Sequence, residues 1–370
     1  MSKLSIAFRT DASLDIGTGH VMRCLTLADA LRERGATCRF ICRAHPGNLI
    51  DLIQQRGHKV IALPLPLVPN TDPAPQSMIG QPAHAHWLGT NWSMDASETR
   101  VALRADILDW LIVDHYALDT RWERSLRAAY RRLMVIDDLA DRAHDCDLLL
   151  DQNLGRSAED YDGRVASRCT VLVGPRYALV RPEFPALRTE SLERRQDPQL
   201  KRLLITMGGV DKYNATSHVL DALRQLPLPV DFRIVVVMGL YAPWLEEVRM
   251  RAEQMPCRTE VRVNVSEMAA LMAESDLAIG AAGSTAWERC CLGLPSILLV
   301  LAENQQVIAQ GLEKAGAAKI IKQGQCISEY LVKLAAPLIE SPVLLGNMIQ
   351  AAGHLVNGEG VDIVAKILES

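Results

Sequence analysis

No run of about 18 apolar residues occurs in this 370-residue sequence, so no segment reads as a membrane span. Basic clusters are missing as well. Forty lysines and arginines face 44 aspartates and glutamates, a formal net charge of −4. That balance argues against nucleic acid as the main partner. The N-terminus passes from Met1-Ser2-Lys3 straight into an apolar stretch, without the pattern of a secretory leader. A cytoplasmic location is the expectation. The nine cysteines are odd in number, scattered and never spaced Cys-x-x-Cys. They read as reduced thiols, not as a disulfide framework or a zinc site. Fixed-period repeats, low-complexity tracts, a Walker loop and the dinucleotide Gly-x-Gly-x-x-Gly pattern are all absent.

What is present is an ordinary globular composition, 49% hydrophobic, on a chain long enough for two cores. Strand signals at 4–8, 37–43, 59–63, 110–114, 132–137 and 147–151 alternate with helix signals at 20–34, 47–56, 95–108 and 119–130. A second alternating series begins with a strand at 203–207 and runs to a helix at 304–315. Such alternation predicts parallel sheets covered by helices. The charged stretch 188–199 reads as an exposed linker. It divides an N-terminal Rossmann-like domain, 1–185, from a C-terminal one, 200–370, whose last helices are placed to pack back across the linker. Residues 64–82 hold six prolines and read as a surface loop.

Two glycine-bearing turns carry the chemistry. The first follows strand 4–8 and contains Gly17, Gly19 and then His20, where a helical pattern begins. A titratable imidazole at a strand-to-helix turn lies where open α/β sheets bind ligands, and the glycines let backbone approach a ligand. A satisfied helix-start histidine is the plain alternative. The second turn, Gly280 to Glu288, follows strand 277–281. Gly283, Ser284 and Thr285 open a helix whose free N–H groups suit an anion. Glu288 lies one turn inward, where a carboxylate can accept two hydroxyl hydrogen bonds from a ribose. Gly208 and Gly209, after strand 203–207, offer further N–H groups. The plain alternative is two turns closing αβ units, with Glu288 solvated. Asp11, Asp137 and Asp138 fall at strand ends, either to bind sugar hydroxyls or to pair with Arg9 or Arg23. His84 and His86 would share one face of a strand, but a third metal ligand is missing. No metal and no cofactor is expected.

Both halves resemble the UDP-sugar hydrolases of pseudaminic acid biosynthesis. The resemblance rests on Arg9 to Cys24 with its Gly-Thr-Gly-His-Val-Met-Arg core, His84-Ala-His-Trp-Leu-Gly89, Val113 to Asp119 and Ile136 to Asp141. Asp147 to Asn153, Met207-Gly-Gly209, Gly280 to Glu288 and Ala302-Glu-Asn-Gln305 extend it. The C-terminal part is shared more widely, with the UDP-N-acetylglucosamine transferase of peptidoglycan synthesis. The resemblance implies an α/β GT-B fold: two Rossmann-like domains with parallel sheets facing a central cleft. It implies hydrolysis of UDP-2,4-diacetamido-2,4,6-trideoxy-β-L-altropyranose by water at the anomeric carbon, with inversion and without a metal. It assigns catalytic roles to His20, Tyr116 and Asn304, and Gln305 beside the last is expected to bind substrate. The expected partner is thus a small UDP-sugar, and a monomer suffices. A glycosyltransferase using the same nucleotide site and a non-catalytic UDP-sugar sensor are the alternatives.

Overall fold

The computed structural model describes residues 3–66, 81–104, 107–240 and 242–370. The chain divides into two compact units. One comprises Met1–Gln152, Arg156–Leu179 and Gly360–Ser370; the other comprises Asn153–Gly155 and Val180–Glu359.

The first unit is built on seven parallel strands: β1 (Ser5–Thr10), β2 (Thr37–Arg43), β3 (Lys59–Leu63), β4 (Leu108–Asp114), β5 (Tyr130–Ile136), β6 (Leu148–Asp151) and β7 (Thr170–Val173). Their order is β3-β2-β1-β4-β5-β6-β7. Continuous apolar runs such as Ile6-Ala7-Phe8 and Leu111-Ile112-Val113 are buried, as expected for a sheet covered on both faces. The order reverses between β1 and β4, and at such a reversal the loops leaving adjacent strands diverge and open a crevice. The final helix, Gly360–Glu369, closes this unit. Trp110 on β4 donates its indole N–H to the Leu368 carbonyl at 2.9 Å, and Arg34 pairs with Asp362 at 2.6 Å.

The second unit has six parallel strands: β8 (Arg202–Thr206), β9 (Arg233–Met238), β10 (Arg258–Val263), β11 (Leu277–Ala281), β12 (Ser296–Leu299) and β13 (Ala318–Ile321). The order is β10-β9-β8-β11-β12-β13, with its reversal between β8 and β11. Both glycine turns of this unit leave the two strands flanking that reversal.

Several expectations need correction. The charged stretch 188–199 is no free linker, because Glu183–Arg194 is a helix of the second unit. Its Ser191 and the following Arg195 are buried, and Arg195 donates to the Met272 and Ser275 carbonyls at 2.8 and 2.6 Å. Strands β7 and β13, four residues each, were not anticipated. His84 and His86 do not lie on a strand; Ala85–Leu88 is a 3-10 turn. Most of the proline-rich loop falls on 67–80, outside the described residues. All nine cysteines are free thiols. Among the described residues, no single helix is long and apolar enough to cross a membrane.

Candidate functional site

The helix Gly19–Glu33 begins just after β1, and its first turn carries His20. Its N-cap, Thr18, makes no side-chain cap bond. Gly17 adopts φ +79°, a left-handed conformation that suits glycine, and its N–H donates to the Ser13 carbonyl at 2.9 Å. The tight Ser13–Gly17 turn therefore sets where Gly19 and His20 emerge.

His20 is 8% exposed. Its Nδ1 lies 2.5 Å from Oδ1 of Asp114, the last residue of β4. The pair thus bridges the β1/β4 reversal. Arg23, one helical turn on, grips the same carboxylate through Nε at 2.6 Å and Nη2 at 2.7 Å. Burial by itself would raise the Asp114 pKa. The Arg23 charge, followed by that of His20, overrides burial and holds this carboxyl well below the usual carboxylate range. An ionised carboxylate only accepts hydrogen bonds, so the proton of the short contact belongs to His20 Nδ1. In the neutral ring the lone pair then sits on Nε2, which nothing engages among the described residues. A base with its second nitrogen fixed by a carboxylate is the arrangement that orients an imidazole for proton abstraction.

Tyr116, on the loop after β4, is brought to this pair. Its ring meets the His20 ring edge-on, with centroids 4.5 Å apart and planes at 85°. Its hydroxyl donates to Asp138 Oδ2 at 2.6 Å, and Arg23 Nη1 reaches the same oxygen at 2.7 Å. Burial, reinforced by the Asp138 charge, pushes the phenol pKa up, so Tyr116 stays protonated. Arg23 therefore ties Asp114 to Asp138, and Tyr116 is a wall against His20 with its hydroxyl engaged.

Asp11 does not join this group. It is fully buried, accepts the Arg43 backbone N–H at 2.6 Å and pairs with Arg9 at 2.6 Å. Of the two expectations for Asp11, sugar binding and pairing with Arg9, the structure holds the pairing: its carboxylate serves a buried cluster with Arg9, Arg43 and Asp95. Asp137 is likewise spent, on Arg142 at 2.9 Å and on the Tyr161 hydroxyl at 3.1 Å. Burial raises its pKa, but the Arg142 charge prevails and lowers it to about 2.

In the second unit, Gly208 (φ +88°) and Gly209 are exposed at the end of β8. Close packing fixes their path: a Cβ on Gly239 would lie 2.0 Å from the Gly209 carbonyl oxygen. The next helix, Ala215–Leu223, has its N-terminus occupied by Asp211, which accepts from Ala215 and Thr216 N–H at 2.9 Å each. After β11, Gly283 and Ser284 are partly exposed and Thr285 is exposed. Ser284 is the N-cap of the seven-residue helix Thr285–Cys291 and makes no side-chain cap bond. Glu288 is not solvated. Its Oε1 accepts from Arg181 Nε at 2.8 Å, whereas its buried Oε2 has no hydrogen-bond partner among the described residues. Burial raises the Glu288 pKa against the opposing pull of Arg181. Beyond β12, Gln305 uses its Oε1 to accept the Leu301 N–H at 2.9 Å, so that oxygen shapes its own loop. Asn304 is partly exposed, and among the described residues none engages its side chain.

Two residues escaped the sequence reading. Asp114, the partner of His20, lies 94 positions away, and only the β1/β4 pairing brings them together. Asp95 is hidden in a polar stretch yet anchors Arg9, Arg43 and the Trp122 indole. The signal for Asp114 was its place at the end of an apolar strand. Among the described residues, no group of three or more histidines, cysteines, aspartates or glutamates is arranged to hold a metal ion.

Residues 203–354 match the glycosyltransferase family 28 C-terminal domain. An uncharacterized protein of Methanocaldococcus jannaschii is 24% identical over 354 residues, 94% of this chain and 62% of that protein. The spore coat polysaccharide biosynthesis protein SpsG of Bacillus subtilis is 30% identical over 206 residues, 55% of this chain and 60% of that protein. The chain thus aligns with about three fifths of each of these two relatives. The UDP-2,4-diacetamido-2,4,6-trideoxy-β-L-altropyranose hydrolase of Campylobacter jejuni is 25% identical over 313 residues, 85% of this chain and 97% of that enzyme. Among solved structures, MurG of Acinetobacter baumannii superposes with a TM-score of 0.70 at 18% identity, covering 100% of this chain and 99% of that one. That likeness shows the fold: α/β, of the GT-B type, with two Rossmann-like domains each built on a parallel sheet.

Proposed function

We propose that this protein hydrolyses a UDP-linked amino-deoxy sugar, UDP-2,4-diacetamido-2,4,6-trideoxy-β-L-altropyranose, to UDP and the free sugar in pseudaminic acid biosynthesis. The observation that carries the reading is His20, its Nδ1–H on Asp114 and its Nε2 unengaged among the described residues. The oxygen of water attacks the anomeric carbon while its proton passes to Nε2. The bond from that carbon to the diphosphate oxygen breaks on the opposite face, and the configuration inverts. UDP departs as a stable anion, so the step asks little of a general acid. Asp114 steadies the imidazolium that forms, and Tyr116 holds the ring in place. We assign the nucleotide to the second unit. There the Gly208-Gly209 and Gly283-Ser284-Thr285 backbone receives the diphosphate, Glu288 Oε2 accepts a ribose hydroxyl and Asn304 contacts an acetamido group. The hydrolase of Campylobacter jejuni, similar over nearly its whole length, supports the choice of substrate.

The test is UDP release from this sugar nucleotide in ¹⁸O water with no acceptor present. Label on the sugar carbon is the expected result; label on the phosphate would overturn attack at carbon. The second reading is a glycosyltransferase with the same nucleotide site, supported by the match of 203–354 to a glycosyltransferase domain. UDP binding without acceptor-free release would favour it, or a sensor that binds and never turns over.

The Glu288 assignment has its own test. Glu288→Ala is expected to weaken UDP binding by roughly ten- to a hundred-fold, the worth of a hydrogen bond to a charged acceptor. Titration calorimetry reads it, and an unchanged dissociation constant removes Glu288 from the ribose.

A further inference from the structure

Beside His20 stand three aromatic rings, and the proposed chemistry uses Tyr116 alone of them. The rings of His84, Trp87 and Tyr116 form a triangle: His84 to Trp87 is 4.3 Å, His84 to Tyr116 is 5.5 Å and Trp87 to Tyr116 is 5.7 Å between centroids. Trp87 and Tyr116 are nearly parallel, at 24°. Tyr116 is buried, whereas His84 and Trp87 are partly exposed. His20 touches the same rings, 4.5 Å from Tyr116 and 6.4 Å from Trp87.

The 3-10 turn that presents Trp87 is a built feature. Trp87 N–H donates to the His84 carbonyl at 2.9 Å, and Ala85 N–H to the Pro82 carbonyl at 3.0 Å. Leu88 plugs the core at 1% exposure. Gly89 ends the turn at φ +70°, and a Cβ there would lie 2.8 Å from His45 Cε1. The turn is thus fixed at its far end while the rings at its near end stay partly open.

The Tyr116 hydroxyl is spent on Asp138, whereas the polar atoms of the other two rings are open. Among the described residues, none bonds the Trp87 indole N–H or either nitrogen of His84. A neutral imidazole offers one donor and one acceptor, and an indole offers one donor. An acetamido group presents the complement: one N–H, one carbonyl and a methyl that prefers an aromatic face to water. A 6-deoxy sugar adds a second methyl.

We propose that Trp87 and His84, laid over Tyr116 beside His20, form a platform that reads the acetamido-bearing, apolar face of the sugar. The proposal rests on the sugar-nucleotide reading and adds to it a specificity site. It predicts that Trp87→Ala and His84→Ala each raise KM for the diacetamido sugar nucleotide about ten-fold or more, with UDP affinity unchanged. A purely structural role would instead lower the melting temperature and leave KM alone.

The decisive experiment is a tryptophan-fluorescence titration of the His20→Asn protein, with and without Trp87→Phe. The probes are UDP-2,4-diacetamido-2,4,6-trideoxy-β-L-altropyranose, UDP-N-acetylglucosamine and UDP. An emission change with the acetamido sugar nucleotides, absent with UDP and lost in Trp87→Phe, is the expected result. No Trp87-dependent change with either sugar nucleotide overturns the platform, as does an equal change with UDP. Hydrolysis by the wild-type protein is read separately. Failure of turnover with a Trp87-dependent signal would sink the hydrolase reading and leave the platform standing.

Discussion

Replacing His20 with asparagine is expected to cut UDP release by roughly a hundred- to ten-thousand-fold, the usual contribution of a positioned general base. UDP affinity is expected to stay as it was. Asparagine is chosen because its amide N–H can still donate to Asp114, so the carboxylate and Arg23 keep their partners. It has no lone pair on nitrogen to receive a proton from water, so the base is removed, together with the ring contact to Tyr116, while the bond to Asp114 is kept. The nucleotide contacts are assigned to the second unit, which this substitution does not touch. Initial rates of UDP release and UDP calorimetry on the same preparation check both halves. Near-normal turnover would take His20 out of the mechanism. Lost turnover together with lost UDP binding would mean a wider structural defect.

How much of this was legible in the sequence depends on range. The alternation of strands and helices was legible, because apolar runs such as Leu111 to Val113 and Leu203 to Ile205 are buried on both faces of their sheets. His20 was legible as a candidate because a strand, a glycine turn and a helix succeed one another within a few residues. The pairing of Arg9 with Asp11 and of Arg23 with Asp138 was also foreseen as an option. Asp114 was not, since its role comes from β4 lying beside β1 and not from any local spacing. Glu288 was placed one turn into its helix, but its partner Arg181 is 107 residues away. The helix Glu183–Arg194 was misread because its composition is strongly charged and only Phe184 and Ser191 of it are buried. Its reason for packing lies in neighbours, chiefly the carbonyls that Arg194 and Arg195 cap. For Asp11 the strand-end position left ligand binding and pairing with Arg9 both open, and burial with Arg9 decides for the pairing.

Asp114→Asn is expected to damage both catalysis and stability, and the two effects have separate causes. The Asp114 carboxylate faces a donor at each oxygen, His20 Nδ1 and Arg23 Nη2 at Oδ1 and Arg23 Nε at Oδ2. An asparagine supplies an acceptor at one position and a donor at the other. With its NH₂ toward His20 it forces the ring proton onto Nε2 and removes the lone pair that would take a proton from water. With its NH₂ toward Arg23 it sets donor against donor in a buried site. A rate loss of about a thousand-fold or more follows from the first arrangement. A stability loss of about 3–5 kcal/mol follows from a buried Arg23 that, among the described residues, keeps only Asp138 as an ion-pair partner. The pH dependence carries the sign of the Asp114 shift. Its native pKa lies below the unfolded value of about 3.9, so its ionised form contributes stability that is present above that pH. That contribution is lost as pH falls toward the native pKa. The difference in melting temperature between wild type and Asp114→Asn should therefore be widest from about pH 5 upward and shrink as pH drops from about 4. Thermal melts across that range, beside kcat near neutrality, make the check. A constant gap at every pH with unchanged kcat would reduce Asp114 to a neutral hydrogen-bonding partner. The orientation of His20 would then need another source.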